Sequence, residues 1–294
     1  ALEVPPALPL CAGACRCPAA TDVVVFISAD SDFPAVVVLH DLKLNVLYPV
    51  RCAGAAPVVG AGACMAHVGG DSVVLWGGGG YGASGVSTFG VLSLGSWDWR
   101  DVPSASAPPP RSYASLTSLE NLQEGAVLFG GLNSDSTVSN RVDYITPRLE
   151  WELDIHVAGA PPPARSGHAA CSLGDGGDGI IIHGGTGIDG LLLDDVFILH
   201  ATGSTSEWRW SEASFQGVNM PRAGHVMAHL GTKGTKISIV LFGGRSQSDP
   251  CINSHIYNSD INFGSKTCIV VESTDHAAAV AATVHPPAIQ RISC

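Results

Sequence analysis

Four short apolar runs, each closed by a pair of glycines, set the rhythm of this chain: Val73-Val-Leu-Trp-Gly-Gly78, Ala126-Val-Leu-Phe-Gly-Gly131, Ile180-Ile-Ile-His-Gly-Gly185 and Ile239-Val-Leu-Phe-Gly-Gly244. They begin 53, 54 and 59 residues apart. Runs this short and this apolar predict buried strands. The closing glycines predict strand ends where backbones crowd or φ turns positive. Val23-Val-Val-Phe-Ile27, Val36-Val-Val-Leu39, Val196-Phe-Ile-Leu199 and the alternating Ile237-Ser-Ile-Val-Leu-Phe242 read the same way. Turn-rich clusters, Gly174-Asp-Gly-Gly-Asp-Gly179 and Gly231-Thr-Lys-Gly-Thr-Lys236, fall where tight reversals between strands are needed. No convincing helical periodicity runs through the chain. A repeat near fifty residues is the mark of an array of small sheets.

Further marks keep step with the glycines. Proline-rich linkers end in arginine at Pro108-Pro-Pro-Arg111, Pro161-Pro-Pro-Ala-Arg165 and Met220-Pro-Arg222. His168 and His225 follow Arg165 and Arg222 by three residues and open small-residue strands. Trp99, Trp151 and Trp210 trail Gly77-Gly78, Gly130-Gly131 and Gly184-Gly185 by similar intervals, with Trp97 and Trp208 as extra copies; Gly243-Gly244 has no such tryptophan. The third diglycine unit shows the whole order: Arg165-Ser-Gly-His168, Gly184-Gly185, Asp194-Asp-Val-Phe-Ile-Leu199, Trp210.

That order resembles the kelch motif, over residues 5 to 290. The resemblance implies an all-β kelch-type β-propeller in which each repeat is one four-stranded blade. About five blades are expected, at 8–50, 60–102, 112–155, 167–213 and 224–272, within a single domain 1–294. In the last, Cys268-Ile269 stands at the tryptophan position. Residues 273–294 read as a closing strand or as the start of a further blade of a six- or seven-bladed ring. Because residues 8–17 already supply the first blade's first strand, the further blade is the expectation.

Bulk composition narrows the function classes. The chain has 294 residues, 46% hydrophobic and 14% charged, enough to bury a sizeable core. Net charge is −11 and no Lys/Arg cluster exists, which argues against nucleic-acid binding. No apolar run approaches the roughly 20 residues that span a bilayer. The N-terminal Ala-Leu-Glu-Val-Pro-Pro has no basic stretch of a secretory signal. Cys11, Cys15 and Cys17 lack a fourth ligand at zinc-finger spacing and would share one face of a strand. Free buried thiols, a reducing compartment and a cytoplasmic or nuclear location are expected.

Candidate chemistry is sparse. Arg165-x-x-His168 and Arg222-x-x-His225 look like catalytic pairs, but a reaction centre needs one constellation and not a copy per repeat. A structural bond from such an arginine to a neighbouring carbonyl, or to an aspartate of the Asp194/Asp195 type, is expected instead. The diglycines lack the following helix and Lys-Ser/Thr of a phosphate loop. A copper radical oxidase shares this propeller type, but five tyrosines (Tyr48, Tyr81, Tyr113, Tyr144, Tyr257) and scattered histidines show no matching ligand motif. No catalytic residue, metal or cofactor is therefore expected.

Known kelch propellers bind peptides through two sets of loops at one rim. On matching positions the first set holds Asp30, Asp32, Tyr81, Asn133, Asp135, Asp189 and Arg245; the second holds Arg111, Ser112, Arg165, Ser166 and Arg222. The partner contacts expected from these are Asn133, Asp189, Arg245, Ser112, Ser166, Arg111 and Arg165. The expected activity is non-catalytic binding of a protein or peptide, of basic character given the acidic loops. The alternative is an accessory or substrate-recruiting propeller of a larger enzyme or ubiquitin-ligase adaptor.

Overall fold

The computed structural model describes residues 11–17, 20–30, 33–78, 89–100, 107–119, 124–174, 179–201, 208–216, 221–233, 236–246 and 266–272. The expectations for Asp32, Tyr81 and the tail 273–294 lie outside these residues. Every regular element described is a strand.

Three four-stranded antiparallel meanders come first, each in chain order. The first holds β1 (Cys11–Cys17), β2 (Ala20–Asp30), β3 (Phe33–Asp41) and β4 (Val46–Val50). The second holds β5 (Ala63–Gly69), β6 (Ser72–Gly77), β7 (Phe89–Ser93) and β8 (Asp98–Arg100). The third holds β9 (Ser115–Ser118), β10 (Ala126–Phe129), β11 (Val142–Ile145) and β12 (Trp151–Glu152). After the short linker strand β13 (Val157–Ala158), a fourth meander follows: β14 (Ala169–Ser172), β15 (Gly179–His183), β16 (Val196–Ala201) and β17 (Trp208–Gln216). The fifth has β18 (Arg222–Lys233), β19 (Lys236–Ser246) and β20 (Lys266–Glu272).

The first strands stand together: β1 packs on β5, β5 on β9, β9 on β14 and β14 on β18. The sheets therefore fan outward as blades from a shared axis, with each diglycine strand second from the centre. Linkers strap the outside. β13 runs parallel to β17, and Ala53 bridges Asp98 in the same parallel sense.

Period-2 alternation on β6, β10 and β15 serves two interfaces at once. On β6, Val73 and Leu75 pack with Val25, Ile27, Val37 and Trp99 toward the first blade. Their neighbours Val74 and Trp76 pack with Leu116, Ala126, Leu128 and Ile145 toward the third. On β10, Val127 and Phe129 meet Ile180, Ile182, Trp208 and Trp210. On β15, Ile181 turns to Ile237, Ile239 and Leu241 of the fifth blade. Burying each such side chain on both faces contributes about 1.5–3 kcal/mol. This is why the diglycine strands read as unbroken apolar runs.

The tryptophans occupy these seams. Trp151 lies 6.4 Å from Trp76 and 5.9 Å from Phe89, ring to ring. Trp210 stands edge-on to Phe129 at 5.2 Å, and Trp208 meets Tyr144 at 5.6 Å. Trp97 lies in the turn before β8, with a φ of 53°. The fifth blade brings a correction. Cys268 and Ile269 are not at a fourth-strand tryptophan position, because β20 pairs directly with β19, Cys268 opposite Val240. The outer edge of β20 is taken by the end of β17, with Ser214 opposite Glu272. The fourth and fifth blades are thus one continuous sheet.

Histidines fill the space that the first glycine leaves open in the pairs Gly130-Gly131 and Gly184-Gly185. A Cβ on Gly130 would sit 2.8 Å from the Arg165 carbonyl oxygen and 2.9 Å from His168 Cε1. A Cβ on Gly184 would sit 2.6 Å from the Arg222 oxygen and 3.2 Å from His225 Cε1. His168 Nε2 pairs with Ser115 Oγ at 2.8 Å, and His225 Nε2 with His183 Nδ1 at 2.9 Å. All three rings are buried. Burial, then the Arg165 charge, holds His168 down at about 3. Burial first, then His183, Arg222 and His168, holds His225 down at about 2.

Two outcomes follow. Below the ordinary histidine value of 6.5 the unfolded chain takes up protons that folded His168 and His225 refuse. Stability is therefore complete above that pH and falls on acidification, with a limiting slope of about 1.4 kcal/mol per pH unit for each histidine. Denaturant melts from pH 7 to 4 should show this, with a shallower slope in His168→Gln. Gly184→Ala should cost about 2–3 kcal/mol, from clash and from a φ of +65°. Gly190→Ala, with φ +77° and nothing within 4 Å of its Cβ position, should cost about 1 kcal/mol in the same melt.

Candidate functional site

The loops that leave the diglycines and the loops that join blades meet on one rim. Ser112 bridges Leu132, which bridges Val138; Ser166 bridges Thr186, which bridges Leu192. An arginine at the entry to β9, β14 and β18 fixes this meeting. Its backbone belongs to the preceding blade: the carbonyls of Arg111, Arg165 and Arg222 accept from Gly78, Gly131 and Gly185 N–H at 3.2, 2.8 and 2.8 Å. Its side chain belongs to its own blade. Arg165 Nη1 donates to the Gly184 carbonyl at 2.9 Å and to Asp195 Oδ1, while Nη2 donates to Asp195 Oδ2 at 2.7 Å. Arg111 Nη2 donates to Asp143 Oδ2 at 2.7 Å, and Arg141 Nε donates to Asp143 Oδ1 at 2.6 Å. Arg222 Nη1 donates to the Gly243 carbonyl at 3.3 Å. Arg111 also lies 5.6 Å over the Trp76 ring and Arg165 5.7 Å over Phe197.

Arg111, Ser112 and Arg165 stand among the rim contacts expected from sequence, yet all three are buried. Satisfying a guanidinium inside the blade requires its carboxylate there too, and the two charges hold each other out of solvent. These side chains shape the rim from beneath and form none of its exposed surface. Ser166 and Asn133 are half-buried, while Asp189 and Arg245 are exposed.

Two of the post-diglycine loops are described throughout, and both are held by their own short-range bonds. In residues 132–138, Asn133 N donates to the Thr137 carbonyl at 2.9 Å and Asn133 Nδ2 to Thr137 Oγ1 at 3.0 Å. Asp135 Oδ1 accepts from Thr137 Oγ1 at 2.6 Å and from Thr137 N at 3.0 Å. The hydroxyl bond, then the amide bond, holds that carboxyl below the usual range. In residues 186–192, Asp189 Oδ1 accepts from Leu191 N at 3.0 Å, and Gly187 N donates to the Leu191 carbonyl at 2.9 Å. Arg245 Nη2 reaches across from the fifth blade to Thr186 Oγ1 at 2.8 Å. These turns lift Ile188, 87% exposed, and Leu191, 57% exposed, off the rim.

Sequence reasoning missed Ile188, Leu191 and Tyr113 as rim features. Ile188 and Leu191 were legible as apolar residues within a Gly-Ile-Asp-Gly-Leu turn, a place where buried side chains are unexpected. Tyr113 was legible as the residue standing where Gly167 and Gly224 stand in their repeats. Among the described residues no group of three or more His, Cys, Asp or Glu could hold a metal ion.

Arg165→Ala should leave Asp195 without its guanidinium and the Gly184 carbonyl without its donor. A loss of about 3 kcal/mol in chemical denaturation is expected. Arg165→Lys should recover only part of it, since one ammonium cannot form the fork.

Comparison with known proteins agrees with this architecture. The family model described as the KLHDC2/KLHL20/DRC7 Kelch-repeats domain matches residues 118–285. Adagio-like protein 1 of Oryza sativa subsp. japonica is 31% identical over 199 residues, 66% of this chain and 30% of that protein. The F-box/kelch-repeat protein At1g51550 of Arabidopsis thaliana is 30% identical over 129 residues, 42% of this chain and 26% of that protein. The chain thus spans less than a third of either relative's length. The solved structure titled "Structure of YjhT" superposes with a TM-score of 0.55 at 17% identity, covering 76% of this chain and 69% of that one. Repeat register, blade packing and family match converge: the chain belongs to the kelch-repeat family and folds as a kelch β-propeller.

Proposed function

We propose that this propeller is a non-catalytic protein-interaction module whose rim loops dock a protein or peptide partner, without a cofactor. One observation carries the reading. Ile188 and Leu191 are held in solvent by a hydrogen-bonded turn on a blade whose arginine is locked beneath it. Exposed apolar side chains on a rigid loop are what a binding surface needs, because little ordering entropy is left to lose on docking. Asp135, Asp189 and Asp194 are exposed on the same rim, which favours a basic partner. A cytoplasmic or nuclear location belongs to the same proposal and is supported by the free thiols of Cys52, Cys64 and Cys171.

A second reading has its own support. The F-box/kelch-repeat relative joins an F-box to such repeats, and this chain spans 26% of it. On that reading the propeller recruits a substrate for a larger ubiquitin-ligase adaptor, and the rim is again the recruiting surface.

An array of lysine- and arginine-bearing peptides, each with its charge-reversed counterpart, tests the rim at low and high salt. Basic peptides should bind, and weaken about tenfold between about 0.05 and 0.5 M salt. Ile188→Ala with Asp189→Asn, whose amide oxygen still accepts from Leu191 N, should abolish binding at unchanged melting temperature. Affinity that ignores salt, or that survives this double substitution, overturns the reading.

A further inference from the structure

Four equivalent backbone positions, one from each of four successive blades, ring the mouth of the propeller. Gly62, Tyr113, Gly167 and Gly224 have φ of 77°, 57°, 64° and 69°. They are bonded hand to hand. Tyr113 N donates to the Gly62 carbonyl, Gly167 N to the Tyr113 carbonyl and Gly224 N to the Gly167 carbonyl, each at 2.8 Å. The left-handed conformation suits glycine, and three of the four positions are glycine. A tyrosine there carries a Cβ that the conformation disfavours.

The ring of Tyr113 does little for the fold. It is 46% exposed and leans over Gly62, where an added Cβ would lie 2.9 Å from its Cγ and Cδ1. Among the described residues the space beside it is open: a Cβ on Gly167 would meet nothing nearer than 3.8 Å, and one on Gly224 nothing within 4 Å. Strain held at an exposed aromatic, next to free space, points to a use outside the fold.

The surroundings say what the ring would receive. Ser166, adjacent to Gly167, is bridged to Thr186 at the base of the loop that carries Asp189. Among the described residues, exposed Asp135, Asp189 and Asp194 outnumber exposed Arg245 on this rim, and the Arg245 guanidinium donates to Thr186. A flat π face on a rim that also carries carboxylates favours a cation. Resting on the rim reading above, we propose that Tyr113 receives a lysine or arginine side chain of a basic peptide segment, whose backbone lies over Gly167 and Gly224 toward the Asp189 loop.

The probe is a random-peptide phage library selected on the immobilised 294-residue chain. Selected peptides are then titrated against wild type, Tyr113→Gly, Tyr113→Asn, Tyr113→Phe and Asp135→Lys/Asp189→Lys. Expected are peptides rich in lysine or arginine that bind Tyr113→Gly and Tyr113→Asn at least about tenfold more weakly. Tyr113→Phe keeps the affinity. Both left-handed-tolerant variants melt at or above the wild-type temperature, which separates lost contact from lost structure. If selected peptides bind Tyr113→Gly as tightly as wild type but weaken with the aspartate reversal, the Tyr113 assignment falls and the rim reading stands. If no peptide is selected, or selected peptides ignore every substitution, both fall. Selection of acidic peptides overturns the cation assignment.

Discussion

The three junctions that link the second, third, fourth and fifth blades depend on one residue type at one place: the arginine between blades. A blade presents two apolar faces and two ends, and hydrophobic burial alone is indifferent to rotation about the axis. The arginine removes that freedom. Its carbonyl is held by the second glycine of the preceding blade, at 2.8 Å for Arg165 on Gly131, and its guanidinium by the following blade's glycine and aspartate. One residue thus sets the spacing and the height of two sheets relative to each other. A buried guanidinium left unpaired would cost several kcal/mol, so the contact cannot slip by one residue without a heavy penalty.

That constraint explains why so much of the architecture was legible in the sequence. Directional contacts need particular side chains at fixed intervals, so Arg165, His168, Gly184, Asp195 and Trp210 recur as a spaced set. The apolar seams needed only bulk, and were visible as unbroken runs such as Ile180-Ile-Ile. What sequence could not give lies where the constraint is absent. The pairing of β20 with β17 is set by backbone hydrogen bonds that any residue could make. Trp97 occupies the same sequence spacing whether it extends a strand or turns. Arg165 was expected both on the rim and in a structural bond to a carbonyl or an Asp194/Asp195-type aspartate; the structure shows the bond, and the burial of Arg111 and Arg165 leaves the rim surface to other side chains.

The division of labour between blade and rim has a physical cause. Inside, each side chain answers to two neighbouring sheets, and a change of one methylene is felt at close packing. On the rim, a turn such as residues 186–192 is closed by bonds between its own residues, from Asp189 to Leu191 and from Gly187 to Leu191. Ile188 can then change without touching any packed layer. A fold that fixes its frame by buried ion pairs leaves its loops free to carry whatever recognition the protein needs.

The histidines show the limit of that freedom. His168 and His225 sit directly beneath the rim, against Gly130 and Gly184, and both stay neutral because burial and nearby arginines disfavour a second proton. Either ring, once charged, would confront a guanidinium whose position sets the blade spacing. The rim inherits its rigidity from that arrangement, and so does Tyr113, whose carbonyl is bonded to Gly167 one residue away from His168. A partner that reads the mouth of this propeller is reading a surface whose geometry is decided two residues below it, by groups it never touches.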